Sequence, residues 1–100
     1  MEYKVNGKTY TAPDVIDFGE IVKLEKCGLS LETMGDLNEH ALQGIEACVR
    51  YLGNYTKEEA NKEIMEHLAK YPLQDLVKVL EIVTTSDFFK TMVTATKNQA

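Results

Sequence analysis

The sequence has no tryptophan, only two cysteines and two prolines, and no cluster of lysine and arginine residues. It carries 16 acidic against 11 basic residues, a formal charge of −5, so it lacks the basic face with which nucleic-acid-binding proteins displace counterions from phosphates. An anionic membrane surface would repel the chain for the same reason, and its apolar runs are far too short to span a bilayer. We therefore expect no nucleic-acid partner and no membrane partner.

The two cysteines give no sign of a disulfide framework. Cys27 and Cys48 each fall in an apolar-periodic stretch, with no CxxC spacing and no secretory leader ahead of them. Isolated thiols of this kind are usually reduced and buried in cytosolic proteins. We therefore expect a cytoplasmic protein.

Catalytic and metal-binding motifs are also missing. His40 and His67 fall in different predicted helices, and neither a GxSxG turn nor a glycine-rich phosphate loop is present. Glu63 and His67 are four residues apart on one helix face and could share a metal ion, although a solvated surface pair is the favoured interpretation. The sequence thus predicts no catalytic residue, no metal, no cofactor and no enzymatic activity.

The pattern of residues 2–11 predicts a two-stranded β-hairpin over that range. Asn6-Gly7 is the preferred pair for a type I′ turn, because both central positions need positive φ. Closing the turn there pairs Tyr3 with Tyr10 and Val5 with Lys8, which gives the hairpin one apolar and one polar face. A hairpin this short is marginal alone, so it must pack on helices, on another chain or on both.

Helical periodicity accounts for the rest of the chain. Helices are predicted at about 14–27, 33–52, 56–70, 73–84 and 86–96. Asp14 and Thr33 are the expected first caps, Gly28 and Gly53-Asn54 the expected stops, and Thr56 to Glu59 an expected capping box. With no linker to divide the chain, 1–100 forms a single domain. The predicted fold class is mainly α: a small bundle of four to five helices with an N-terminal β-hairpin.

Two groups of apolar side chains lack an obvious role in this bundle. One lies on the hairpin face and the other near the C-terminus, beside an interruption at residues 84–87. Large aromatics and methionine are enriched at protein interfaces, so one interpretation makes them protein-binding residues. The other interpretation is that both groups close the core. The candidate residues are Tyr3, Val5, Tyr10, Phe88, Phe89 and Met92.

Residues 2–31 resemble the start of tail assembly chaperones from long-tailed bacteriophages and related prophages. Such proteins often begin with a short hairpin around an N-G-K turn, followed by an amphipathic helix of the "DF…I..LE..G.SL" kind. The matching stretch here is YKVNGKTYTAPDVIDFGEIVKLEKCGLSL, in which Asp17-Phe18, Ile21, Leu24-Glu25, Gly28 and Ser30-Leu31 carry the helix motif. Beyond residue 31 the likeness is one of size, acidity and helical character only.

The resemblance implies a non-enzymatic role. Proteins of this family cover the long helical tape-measure protein before the tail tube polymerises around it. They self-associate and are absent from the finished particle. The implied partners are further copies of the chain, the tape-measure protein and the tail tube protein, in the host bacterial cytoplasm. An exposed apolar helix aggregates unless it is covered, and an acidic helical cover suits that task.

Two other functions remain open at this point. The first is a small helical adaptor or regulator that binds a single folded protein partner. The second is a helix-turn-helix DNA-binding domain, which the acidic charge and the lack of a basic recognition helix disfavour.

Overall fold

The hairpin turn forms at Asn6 and Gly7, which have φ of 53° and 76°. In this computed structural model, which describes residues 1–86 and 89–91, β1 (Glu2–Val5) and β2 (Lys8–Thr11) pair in the predicted antiparallel register. Tyr3 lies opposite Tyr10 and Val5 opposite Lys8. The sequence prediction of the hairpin is therefore confirmed.

Six helices follow in the described part of the chain, so the predicted class, a mainly helical protein with an N-terminal hairpin, is also confirmed. They are α1 (Phe18–Lys26), α2 (Leu31–Gly35), α3 (Ala41–Gly53), α4 (Lys57–Lys70), α5 (Leu73–Lys78) and α6 (Glu81–Thr84). Residues 89–91 are again helical. The rest of the predicted helix over 86–96 lies outside the described residues.

The first helix begins later than predicted. Asp17, and not Asp14, is its N-cap, because the Asp17 Oδ1 atom accepts a hydrogen bond from the Glu20 N–H at 3.0 Å. The Asp14 carboxylate instead lies 2.8 Å from the N-terminal amine. Val15 and Phe18, which helical periodicity places on the apolar face of this helix, are 70% and 66% exposed.

The predicted end of α1 is confirmed. Gly28 has φ of 107°, its N–H donates to Glu25, and the Leu29 N–H donates to the Leu24 carbonyl at 3.1 Å. This pair of bonds is a Schellman ending, and both leucines are buried.

The single helix predicted over 33–52 is wrong, because the chain forms α2 and α3 with turns at residues 36–40. Ser30, and not Thr33, caps α2, and its hydroxyl accepts from the Thr33 N–H at 3.1 Å. Asp36 then leaves helical geometry with φ of −145° and ψ of 78°, and its Oδ1 accepts from the Glu39 N–H. Short acidic side chains compete with helix in this way, and periodicity does not reveal it.

The remaining boundaries follow local signals. Asn54 ends α3 in left-handed conformation, and Thr56 with Glu59 forms the predicted capping box of α4. The predicted helix over 73–84 is divided into α5 and α6 at Val79 and Leu80, where bonds such as Val79 N–H to Leu76 O span three residues in the 3₁₀ manner. The Ser86 Oγ accepts from the Phe89 N–H at 3.1 Å and so caps the turn that follows.

The core is built around α3, which packs against α1, α2, α4, α5 and β2. A Cβ atom on Gly44 would lie 2.9 Å from Leu80 Cδ2, so glycine permits the close approach of Leu80 to α3. The buried apolar residues come from both the hairpin and the helices: Tyr3, Val5, Ile21, Leu24, Ile45, Cys48, Val49, Ala60, Leu76, Val79, Ile82 and Val83, among others.

One polar side chain is completely buried in α4. His67 is 0% exposed, and its Nδ1 accepts from the Asn6 N–H at 2.8 Å. Because that N–H can only donate, the neutral ring carries its proton on Nε2, which donates to the Pro72 carbonyl at 2.8 Å. The imidazole thus joins the hairpin turn to the start of α5.

We expect His67→Leu to destabilise the protein by about 2–3 kcal/mol, because it keeps most of the side-chain volume but leaves the Asn6 N–H and the Pro72 carbonyl without partners. The measurement is the unfolding free energy, together with amide hydrogen exchange at Asn6. The matched control is His40→Ala at the other, half-exposed histidine, which should change stability by about 0.5 kcal/mol or less. Slow exchange at Asn6 in His67→Leu would contradict the assignment.

Candidate protein-binding surface

Two of the predicted binding residues lie in the core. Tyr3 is 2% exposed and Val5 is 0% exposed, and burial raises the pKa of Tyr3 to about 12. Neither side chain has surface left to contact another chain. The core interpretation, which the sequence left open, is the one that applies to them.

The other four predicted residues divide into two pairs. Tyr10 is half-buried, and its hydroxyl lies 2.5 Å from the Tyr55 hydroxyl, with the two rings edge to face. Phe89 is half-buried against the core. Phe88 and Met92 lie outside the described residues. Tyr10 and Phe89 therefore keep some accessible surface, and a binding role for Phe88 and Met92 stays a prediction.

Polar contacts hold the hairpin turn on α4. The Asn6 side-chain amide donates to Glu63 Oε2 at 2.9 Å and to Glu66 Oε2 at 2.8 Å, and Lys8 Nζ lies 3.0 Å from Glu63 Oε1. Gly7 lies so near the ring of Tyr71 that a Cβ atom would be 2.6 Å from its hydroxyl. The turn is thus fixed by both hydrogen bonds and shape.

These contacts correct the prediction for Glu63 and His67. The two residues are not a solvated pair, because His67 is buried and bonded at both ring nitrogens. Both oxygens of Glu63 also have donors, from Asn6 and Lys8. Both ring nitrogens of His67 and both oxygens of Glu63 are therefore engaged within the protein. Among the described residues, no group of three or more His, Cys, Asp or Glu side chains could hold a metal ion.

The described thiols are poorly suited to nucleophilic chemistry. Burial raises the pKa of Cys48 to about 12. Burial also raises the pKa of Cys27, with the nearby Arg50 charge opposing the change. Both thiols therefore resist forming the reactive thiolate.

Among the described residues, several large apolar side chains on α4 and α5 are exposed. Five large side chains on α4, on α5 and at the extended joint between them are 42–72% exposed. We call them the α4–α5 apolar surface: Met65 at 72%, Leu68 at 49%, Tyr71 at 42%, Leu73 at 53% and Val77 at 49%. Such exposure of large apolar groups is typical of a surface that contacts another polypeptide.

Sequence reasoning placed this surface incorrectly. By helical periodicity, Leu68 and Tyr71 continue the apolar stripe that begins with Ala60 and Ile64, and Leu73 and Val77 belong to the stripe of the next helix. Ala60 is buried and Ile64 packs against the core, but the next inward position of α4 is His67, one residue before Leu68. The available signal was the histidine itself, which is often buried when it has hydrogen-bond partners.

We expect the docking of the hairpin on α4 to weaken in acid. Hydrogen bonds from Asn6 and Lys8 lower the pKa of Glu63 in the folded protein. The stability that this carboxylate contributes is therefore complete above its ordinary pKa and is lost as the pH falls through the lowered folded value. The measurement is the melting temperature against pH, with the NMR shift of the Asn6 side-chain amide.

Glu63→Gln should flatten this acid dependence, because its side chain does not titrate. Glu58→Gln, at an exposed acid of the same helix, is the matched control and should leave the dependence as it is. An unchanged acid profile in Glu63→Gln would show that other groups cause the loss.

Comparison with known proteins adds no relative, because no family model, no curated protein and no solved structure matches the chain. In the part of the chain that the structure describes, no helix is both long and apolar enough to cross a membrane. The α4–α5 apolar surface and the resemblance of residues 2–31 are therefore what support a function for this chain.

Proposed function

We propose that this chain is a non-enzymatic assembly chaperone of the phage tail type. It self-associates in the bacterial cytoplasm and covers the apolar helical surface of a tape-measure protein until the tail tube forms. The observation that carries the proposal is the α4–α5 apolar surface, whose five large apolar side chains are 42–72% exposed.

The spacing of this surface suits a helical partner. Met65 and Leu68 are three residues apart on α4, and Leu73 and Val77 are four apart on α5, so each pair lies on one face of its helix. Tyr71 lies between the two pairs, at the extended C-cap of α4. An amphipathic helix binds by laying its own apolar stripe along such a face. A tape-measure protein that waits for its tube offers many helical stripes of this kind.

Charged residues on the same helices should limit how tightly copies of the chain associate through this surface. Glu66 and Lys70 are exposed beside the apolar positions of α4, and the whole chain carries a charge of −5. Net charge keeps a protein with exposed apolar groups soluble. The cover can therefore remain in solution and release its client when the tube competes for it.

The hairpin offers a separate means of self-association. The backbones of Met1 and Ala12 form a hydrogen-bonded pair. Because such pairs alternate along an antiparallel hairpin, the backbone N–H and C=O groups of Thr9 and Thr11 point away from β1, to the outer edge of β2. Both threonines are exposed. A strand from a second copy can add to this edge while the inner face stays packed on the helices.

The proposal predicts that the paired substitution Leu73→Ser with Val77→Ser leaves the protein folded but abolishes its protection of the client. Both side chains are about half exposed, so the expected loss of stability is about 1 kcal/mol or less for each. The measurement is the soluble fraction of a co-expressed tape-measure segment, with circular dichroism to confirm the fold.

Leu42→Ser is the matched control, because Leu42 is 75% exposed on α3 and does not belong to the α4–α5 apolar surface. It should protect the client as well as the unchanged protein does. Light scattering after size exclusion should show an assembly larger than a monomer. A stable monomer that binds one folded protein in a one-to-one complex would instead identify a small helical adaptor.

A further inference from the structure

An open cavity of about 560 Å³ lies away from the α4–α5 apolar surface. Its walls come from the C-terminal half of α1, the C-terminal end of α3 and the chain that leaves the hairpin. A volume of roughly 300–1,000 Å³ is usual for sites that hold small organic ligands. The cavity is therefore large enough for more than a single ion.

The charge of this cavity has the opposite sign to that of the whole chain. Lys23, Lys26 and Arg50 line it together with a single carboxylate, that of Glu20. Glu20 is already engaged, because its Oε1 lies 3.2 Å from Lys23 Nζ and its Oε2 accepts from the Tyr51 hydroxyl. Within residues 1–86 and 89–91, no carboxylate forms an ion pair with Lys26 or Arg50, so two positive charges face the cavity without a counterion from the protein.

The guanidinium of Arg50 is held in place from two sides. Its Nη1 donates to the Cys27 carbonyl at 3.0 Å, and its Nε donates to the Tyr55 carbonyl at 3.3 Å. Both acceptors are backbone atoms, so they fix the plane of the guanidinium without neutralising its charge. In the described structure these bonds leave Nη2 available for an acceptor inside the cavity.

The rest of the lining is largely apolar or hydroxylic. Pro13 and Leu52 provide apolar surface, and Thr11 and Tyr51 provide hydroxyl groups. A site of this composition suits a ligand with an anionic head and an apolar body, because the head can meet Arg50 while the body lies against the carbon atoms.

We propose that this cavity binds a small organic anion whose carboxylate or phosphate group is held by Arg50 and Lys26 and whose apolar body packs on Pro13 and Leu52. Arginine in a fixed plane recognises either group by paired hydrogen bonds. The site is independent of the client-binding role, since it uses other helices and another kind of contact.

The test is a calorimetric and NMR titration at low salt of the full chain with phenyl phosphate, benzoate, inorganic phosphate and the neutral benzyl alcohol. We expect the two aromatic anions to bind, the stronger of them identifying the preferred head group. Amide shifts should concentrate at residues 23–27 and 50–54. Inorganic phosphate should bind more weakly, and benzyl alcohol should not bind.

Lys26→Gln should weaken binding of the aromatic anions by about tenfold, which corresponds to about 1.4 kcal/mol. Lys70→Gln removes the same charge from α4, outside the cavity, and is the matched control that should leave the affinity unchanged. Arg50→Gln should abolish binding, with its melting temperature measured because Arg50 also supports two backbone carbonyls.

Three results would overturn the proposal. The first is no binding of either aromatic anion, and the second is equal weakening by Lys26→Gln and Lys70→Gln, which would indicate a diffuse effect of net charge. The third is binding of benzyl alcohol as tight as that of benzoate, which would make the cavity an apolar pocket without anion recognition.

Discussion

The packing of this protein depends on the two hydrogen bonds that the buried imidazole of His67 makes inside an apolar core. The imidazole of His67 accepts from the Asn6 N–H on one side and donates to the Pro72 carbonyl on the other, and the side chain is 0% exposed. In a two-residue hairpin turn, the N–H of the first central residue has no partner within the hairpin. The helix supplies that partner, so a hairpin too short to be stable alone becomes part of the core. Because Pro72 is the N-cap residue of α5, the same ring also ties α4 to the start of α5.

Around this contact the hairpin has an asymmetric role. Its inner face contributes Tyr3 and Val5 to the core, and its turn is bonded to α4 by Asn6 and Lys8. Its other face and the outer edge of β2 remain exposed. The sheet is therefore an integral layer of the fold on one side, while the backbone of the other side can accept a further strand.

Sequence reasoning succeeded where a structure is decided by residues close together in the chain. The Asn6-Gly7 turn, the Gly28 ending of α1 and the capping box at Thr56 each need only a few neighbouring residues, and each forms as predicted. It failed where the partner is distant. The burial of His67 depends on a hydrogen-bond donor that lies 61 residues earlier in the chain. Helical periodicity treats histidine as polar and therefore assigns the inward position to Leu68, which is 49% exposed.

Gly7 lies close to Tyr71, so the hairpin turn contacts the joint between α4 and α5. Glycine there suits the positive φ of 76°, and a Cβ atom would meet the end of the Tyr71 side chain, which would have to move. Any bulkier residue must displace that ring, and the ring belongs to the apolar surface proposed to meet the client. A change in a strand turn would thus reshape a helical binding face that it does not belong to, and variants selected for altered client choice can arise in the first ten residues.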